Sequence, residues 1–330
     1  MNQNDKRKKI MLALILSAII VLISFIYNNY IAQAEPISKS GFYFNTMVDI
    51  QLNDSTDESL IDDCFALADT YEHYFSRTLP DSDIYRINHA GGAPVDVHAE
   101  TAELIEAGIK YGQLSGGAFD ITIGALSDLW NIPDNQSTIP SQSDIARALA
   151  TVGYEQIRLT GSTVTLTNPD TMLDLGGIAK GYAADRMKAY LNENGVHEGF
   201  INLGGNVLTL GEKKEGPYRI GIQMPFSENG EIITTVEISD QSVVTSGRYE
   251  RYFEKDGRIY HHILSPVDGY PYESGLNGVT ILSDSSIEGD ALSTICFALG
   301  MEKAKELLAS MPEIDAIFID ADNRIHTLDE

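Results

Sequence analysis

The sequence predicts an α+β fold, a mostly antiparallel sheet with flanking helices. Three observations carry that prediction. Strand-like runs crowd residues 200–282, and helix-like patterns of period 3.6 lie on both sides of them. The two kinds neither alternate strictly nor separate into blocks, which argues against a parallel βαβ sheet. No stretch recurs at a period of 20–50 residues, so a solenoid or propeller is not expected.

The elements follow in order. A polar linker leads to a strand over 42–52. A helix over 57–76 sets Leu60, Cys64, Leu67, Ala68 and Tyr71 along one face. "RTLPDSD" is a loop, and a second helix, 98–115, stops at Gly116-Gly117. The polar loop "NIPDNQSTIPSQSD" leads to a helix over 142–152, followed by strands around Ile157 and Val164. "LDLGGIAKGYAADRM", 173–187, reads as a short strand, a glycine joint and a helix. Strands are expected at 200–203, 207–210, 218–223, 232–238, 242–245, 249–253 and 279–282. Helices follow at 287–299 and 301–310. A last hairpin, 316–319 with 325–328, turns on "DADN".

With 330 residues, 43% hydrophobic and 22% charged, the chain can bury one large core. A net charge of −25 lacks the basic footprint that nucleic acid requires. It still permits an anionic ligand, because N–H nests and a divalent cation can hold phosphate in an acidic protein. Lys6, Arg7, Lys8 and Lys9 precede an 18-residue apolar run, "IMLALILSAIIVLISFIY". This is a membrane segment, retained as an anchor or cleaved as a signal peptide after Ala34, and its cationic flank places the body outside the cytoplasm. The expected organisation is 1–34 basic tail and membrane segment, 35–41 linker, and 42–330 one domain. No cysteine near residue 34 offers a lipid anchor. Cys64 and Cys296 read as buried thiols, with one disulfide as the alternative.

Six stretches can carry chemistry, and each has a structural alternative. In the 173–187 joint, glycines would admit a ligand to the backbone, a helix N-terminus would offer N–H groups, and Lys180 would add charge for an anion; a tight turn is the alternative. In "GGAFDITIGALSDLW", 116–130, Ala118 and Phe119 could present backbone groups to a flat ligand while Asp120 accepts from its edge; Asp120 could instead cap a helix. "INLGGNVLTLG", 201–211, is a second glycine joint or a hairpin turn. "TSGRYERYF", 245–253, ends a strand with Ser246 and Gly247, or is an exposed strand. The adjacent histidines of "YHHILSP" point to opposite strand faces, so one can be structural while the other serves as acid or base. "EGDALSTICFALG", 288–300, is the most informative. Asp290 and Thr294 stand at i and i+4 on one helix face, with Ser293 beside them: hard oxygen donors that suit Mg²⁺. The alternative is Asp290 as a helix cap. Together the stretches describe a site for nucleotide or dinucleotide phosphoester chemistry.

The ordered set "GGAFDITIG", "LDLGGIAKGYAADR", "INLGGN", "TSGRYER", "YHHILSPVDGYP" and "GDALST" resembles the ApbE-type FAD:protein FMN transferases. The resemblance covers nearly all of 42–330 and implies a single ApbE-like (T-fold-like) domain. It implies FAD as substrate, Mg²⁺ as cofactor, and attack by a partner's threonine or serine hydroxyl on the FMN-side phosphorus. AMP leaves, and FMN stays on the partner as a phosphoester. Carried over by motif, the metal ligands are Asp290, Thr294, Ser293 and the Ala179 carbonyl. The FAD contacts are Ala118, Phe119, Asp120, Gly176, Lys180, Tyr182 and Leu264, and His262 is tied to catalysis. The implied partner is an FMN-accepting extracytoplasmic electron-transfer protein. Where the family usually reads Met-Gly-Thr, Phe44 and Asn45 stand before Thr46, and Thr78 replaces a frequent aromatic. Both places touch the flavin end, where Phe44 offers a substitute ring. Ser265 stands for an aspartate and Gly289 for an alanine. Two rival readings are an FAD pyrophosphatase that uses water as nucleophile, and a non-catalytic flavin-binding surface protein.

Overall fold

The computed structural model describes residues 3–31, 35–132, 137–227 and 230–328. The chain runs α1 (Gln3–Ile31), β1 (Ile37–Tyr43), β2 (Thr46–Leu52), α2 (Ser59–Phe75), α3 (Asp83–Asn88), β3 (Val95–Asp96), α4 (Ala99–Leu114), α5 (Gly124–Trp130), α6 (Gln142–Leu149), β4 (Ile157–Thr160) and β5 (Thr163–Leu166). It continues through α7 (Ala179–Glu193), β6 (Gly199–Leu203), β7 (Asn206–Leu210), β8 (Tyr218–Gln223), β9 (Ile232–Ile238), β10 (Ser242–Gly247), β11 (Tyr252–Lys255), β12 (Arg258–His261) and β13 (Leu276–Ser283). It ends in α8 (Ser286–Leu299), α9 (Met301–Leu308), β14 (Asp315–Asp320) and β15 (Ile325–Thr327).

One eight-stranded sheet orders β1-β2-β6-β7-β10-β13-β14-β15, with every neighbouring pair antiparallel. Helix α7 packs against both α2 and α8, and all three lie on this sheet. Between them lie Val48, Leu52, Ile61, Ala68, Met187, Ile201, Ile281 and Leu292, all fully buried. A smaller core gathers Leu126, Trp130, Ile145, Phe253, Tyr260 and Leu264 beside the β11–β12 hairpin. Cys64 and Cys296 are buried, unpaired thiols, and burial pushes both up to about 12.

Antiparallel pairing fixes what lies at each end of the sheet. The β1–β2 turn (44–45), the β6–β7 turn (204–205) and the C-terminal end of β10 share one end, because β10 pairs with β7 through Val244↔Asn206 and Ser242↔Leu208. Gly204 has φ +59, and a Cβ there would lie 2.8 Å from Thr46 Cβ, so the first two turns are in contact. Glycine meets both demands.

Several expected elements take a different form. The strand over 42–52 is a hairpin whose turn residues, Phe44 and Asn45, have φ of +52 and +56, the left-handed pair that a two-residue hairpin loop needs. Its first strand therefore begins at Ile37, inside the expected linker. The apolar stretch before the glycine joint is not a regular strand and makes a single bridge, Met172 to Ile123. The expected strand 249–253 is a turn followed by β11, which closes on Asp256-Gly257. β10 is a buried inner strand, which removes the exposed-strand reading for 245–247, while Tyr252 on β11 is exposed. The loop 131–144 includes residues 133–136, outside the described residues. In α1 the side chains are described at 11–25 and are exposed. Among the described residues no helix is long and apolar enough to cross a membrane. The expected membrane run also takes in Ile10, Ile26 and Tyr27, whose side chains are not described, and the cleavage site at 32–34 lies outside the described residues.

Candidate active site

The centre is the contact between the first turn of α7 and the second turn of α8. Gly181 makes that contact possible. A Cβ there would meet the Ser286 carbonyl oxygen and lie 2.6 Å from Ile287 Cα, so only glycine lets the helices approach this closely. The Gly181 N–H then donates to Asp290 Oδ2 at 2.9 Å. Asp290 thus satisfies one of the open donors of the α7 N-terminus, from which no side chain of its own sequence caps it. Its second oxygen, Oδ1, lies 3.8 Å from Lys180 Nζ. Asp290 is 4% exposed. Desolvation raises its carboxyl above the usual range, while Lys180 and the Gly181 N–H oppose that shift. Gly289 explains its own departure: a Cβ there would sit 2.9 Å from Val244 Cγ2 and 3.0 Å from Ser283 Oγ, so its absence seats α8 closely on β10.

One helical turn on, Thr294 is half-buried, with Oγ1 3.2 Å from Ser246 Oγ. Ser293 does not share that face. It is fully buried, donates to the Asp290 carbonyl at 3.0 Å and lies 2.8 Å from Ser246 Oγ. Ser293 thus stands behind Thr294, tied to Ser246 and to the Asp290 carbonyl. Ala179 opens α7 two residues before the Gly181–Asp290 contact, which puts its main chain beside the carboxylate. Among the described residues no group of three or more His, Cys, Asp or Glu side chains is placed to hold a metal. A carboxylate oxygen, a threonine hydroxyl and a main-chain carbonyl form a sparse, hard donor set. That set fits Mg²⁺, which keeps several waters and takes phosphate oxygens.

The two histidines divide at the end of β12: His261 is its last residue and His262 the first beyond it. His261 is 2% exposed, with Nε2 2.9 Å from the Tyr272 carbonyl, and the Ile263 N–H donates to its Nδ1. It is a structural Nε2–H tautomer, lowered to about 4 by burial. His262 faces the other way and remains partly exposed. Its Nδ1 lies 3.4 Å from the Arg251 carbonyl, which can only accept, so Nδ1 carries the proton and Nε2 offers a lone pair. Desolvation, then the nearby positive charges including Arg251 and Lys180, lower it to about 3. Glu250, on the same turn as Arg251, is exposed. Surrounding protein pushes it up to about 7, with Lys180 opposing and Asp290 adding to the rise. These mutual influences gather His262, Glu250, Arg251, Lys180 and Asp290 in one place.

The flavin-side expectations fare unevenly. Gly176 is exposed, and apart from Asp174 Oδ1 nothing would crowd a Cβ, so the joint is open to a ligand there. Arg77, next to the exposed Thr78, pairs with Asp128 of α5 and approaches Asp174, in the joint two residues before Gly176, to 3.4 Å. Phe44 stands at the sheet end shared with Ser246. Asp120 is buried and already engaged within the fold: Oδ1 accepts from Thr122 N–H and O–H, and Oδ2 accepts from Tyr154 N–H, which leaves Oδ2 one further acceptor position. The backbone of 118–119 is also committed, since Tyr272 O–H donates to the Ala118 carbonyl and the Phe119 N–H donates to Ser115 Oγ. The buried Phe119 ring lies against Gly177 instead. Tyr182 points away from Lys180, because residues two apart lie on opposite sides of a helix. It packs edge-on to Tyr71 and Phe75 and donates to Glu103. Leu264 belongs to the small core. Ser265 does the work of an aspartate: its Oγ accepts from the N–H groups of Val267 and Asp268. Sequence reasoning marked Ser246 only as a strand end and passed over Glu250 and Arg77. The motif "TSGRYER" held both Ser246, buried at the end of β10, and Glu250, exposed in the turn that follows.

The ApbE family model matches residues 44–318. A Klebsiella pneumoniae protein named FAD:protein FMN transferase is 41% identical over 268 residues, 80% of this chain and 83% of that protein. One from Treponema pallidum with the same name is 36% identical over 282 residues, 80% and 78% of the two. Among solved structures, the ApbE protein of Thermotoga maritima has a TM-score of 0.82 at 30% identity, covering 89% of this chain and 97% of that one. The flavin transferase ApbE of Vibrio cholerae has a TM-score of 0.80 at 26% identity, with the same coverage.

Proposed function

The chain belongs to the ApbE family, and from that premise we propose that it is an FAD:protein FMN transferase. It moves the FMN moiety of FAD onto a threonine or serine hydroxyl of an extracytoplasmic electron-transfer protein and releases AMP. It does so on the outer face of the cell membrane, held by or released from its N-terminal segment. The single observation that supports this most is the buried Asp290. One of its oxygens is fixed by Gly181, and the other is left beside Lys180, one helical turn from Thr294.

Asp290, Thr294 and the Ala179 carbonyl would hold Mg²⁺, which when bound neutralises pyrophosphate charge and steadies the leaving phosphate. Lys180 adds a fixed positive charge on the same side. His262, with its proton held on Nδ1 by the Arg251 carbonyl, accepts the proton of the attacking hydroxyl at Nε2. The new bond joins that hydroxyl oxygen to the FMN-side phosphorus, and the bond to the AMP oxygen breaks. Lowered to about 3 by desolvation and nearby positive charge, His262 is neutral, with Nε2 able to accept. A bound pyrophosphate supplies the negative charge that raises its basicity.

Two variants test this reading. Asp290→Ala is expected to abolish Mg²⁺-dependent FAD consumption. His262→Ala is expected to keep FAD bound while transfer slows by about 10²–10⁴-fold, the usual worth of a positioned base. AMP release that needs no acceptor hydroxyl would make the protein a pyrophosphatase. Bound FAD left intact by the wild type with acceptor present would make it a flavin binder.

A further inference from the structure

Three hydroxyls and one carbonyl stand in a row behind the candidate cation site. Ser293 Oγ lies 3.0 Å from the Asp290 carbonyl oxygen, Ser246 Oγ lies 2.8 Å from Ser293 Oγ, and Thr294 Oγ1 lies 3.2 Å from Ser246 Oγ. Each hydroxyl has one proton, and a carbonyl has none. Ser293 must therefore give its proton to the carbonyl. It can then only accept from Ser246. Ser246, its proton spent, can only accept from Thr294. The direction of every bond follows from the first.

Building on the proposed function, we infer that Ser246 and Ser293 form a one-way hydroxyl chain that turns the Thr294 proton inward and presents its Oγ1 lone pairs to the cation. Ser246 is a positioning residue. It touches neither cation nor FAD in this account and acts through Thr294. The fold supplies the support. Ser246 is 8% exposed on β10, on the face that carries Val244 against Gly289 of α8, while its neighbour Thr245 faces the other way and pairs with Thr280 at 2.8 Å. Ser293 is fully buried. A hydroxyl free to rotate would point its proton at a cation part of the time. The chain removes that competing orientation before the cation arrives.

The test is calorimetric titration of Mg²⁺ into the full FAD-saturated chain, alongside melting temperatures without Mg²⁺ and FAD. Ser246→Ala removes the acceptor for the Thr294 proton. It should raise the Mg²⁺ dissociation constant about 10–100-fold, as loss of a ligand-orienting partner does. Ser293→Ala lets Ser246 donate to Thr294 and turns that hydroxyl around, so it should weaken binding in the same range. The double variant should be no weaker than the weaker single one, because both cut one chain. Dissociation constants within twofold of wild type in either single variant would overturn the inference, as would a lowered melting temperature with unchanged Mg²⁺ affinity. Wild type that takes up no Mg²⁺ would instead overturn the cation site itself, and the wild-type titration separates that case from the others.

Discussion

Replacing Gly181 by alanine tests the central contact of the site through a sign. Alanine has the higher helix propensity, so a glycine without constraint in α7 should gain up to about 1 kcal/mol when replaced. Here the added Cβ would lie 2.6 Å from Ile287 Cα and 2.7 Å from Ile287 N, both backbone atoms that cannot rotate away. Overpacking of this kind costs about 1–3 kcal/mol. If α7 and α8 separate to relieve it, the Gly181 N–H bond to Asp290 stretches, and a bond to a charged acceptor is worth about 1.5–3 kcal/mol. The losses exceed the gain, and a net destabilisation of about 1–4 kcal/mol is expected. Urea unfolding followed by circular dichroism should show a lower midpoint with an unchanged slope. An unchanged or higher midpoint would refute the claim that Gly181 holds the two helices together.

Two further predictions concern other parts of the fold. His261, lowered from 6.5 to about 4, stays neutral when folded but takes a proton when unfolded, so its contribution is full above pH 6.5 and lost as pH falls from 6.5 to 4. The loss is at most about 3 kcal/mol. His261→Gln, which keeps a donor toward the Tyr272 carbonyl, should flatten the fall of the urea midpoint over that window, whereas an unaltered pH dependence would remove His261 as its source. Asn45→Gly should stabilise the β1–β2 hairpin by a few tenths to about 1 kcal/mol, since glycine suits φ +56 better than asparagine. A lowered melting temperature would show that the Asn45 side chain has a contact worth more than its backbone strain.

Local pattern was enough for much of this molecule. The face of α2 and the i, i+4 relation of Asp290 and Thr294 follow from helix periodicity, and the split of His261 and His262 into one buried and one partly exposed side chain was anticipated, although His262 lies just past the end of β12. The β1–β2 turn was hidden because no glycine marks it; Phe44 and Asn45 occupy left-handed conformations that a strand-like composition does not advertise. The engagement of Asp120 within the fold was hidden because one of its donors is Tyr154, far along the chain. Ser293 looked like a ligand beside Thr294 until Ser246, on another element, took its other side. Such partners are set by tertiary packing, and no window of sequence contains both halves.

The measurement that bears most directly on the account is the intact mass of an acceptor protein incubated with the full chain, FAD and Mg²⁺. The account predicts a gain equal to FMN less water, dependent on Mg²⁺, absent with Asp290→Ala and absent when the acceptor threonine is alanine. An unchanged acceptor mass while FAD disappears into free FMN and AMP would contradict it.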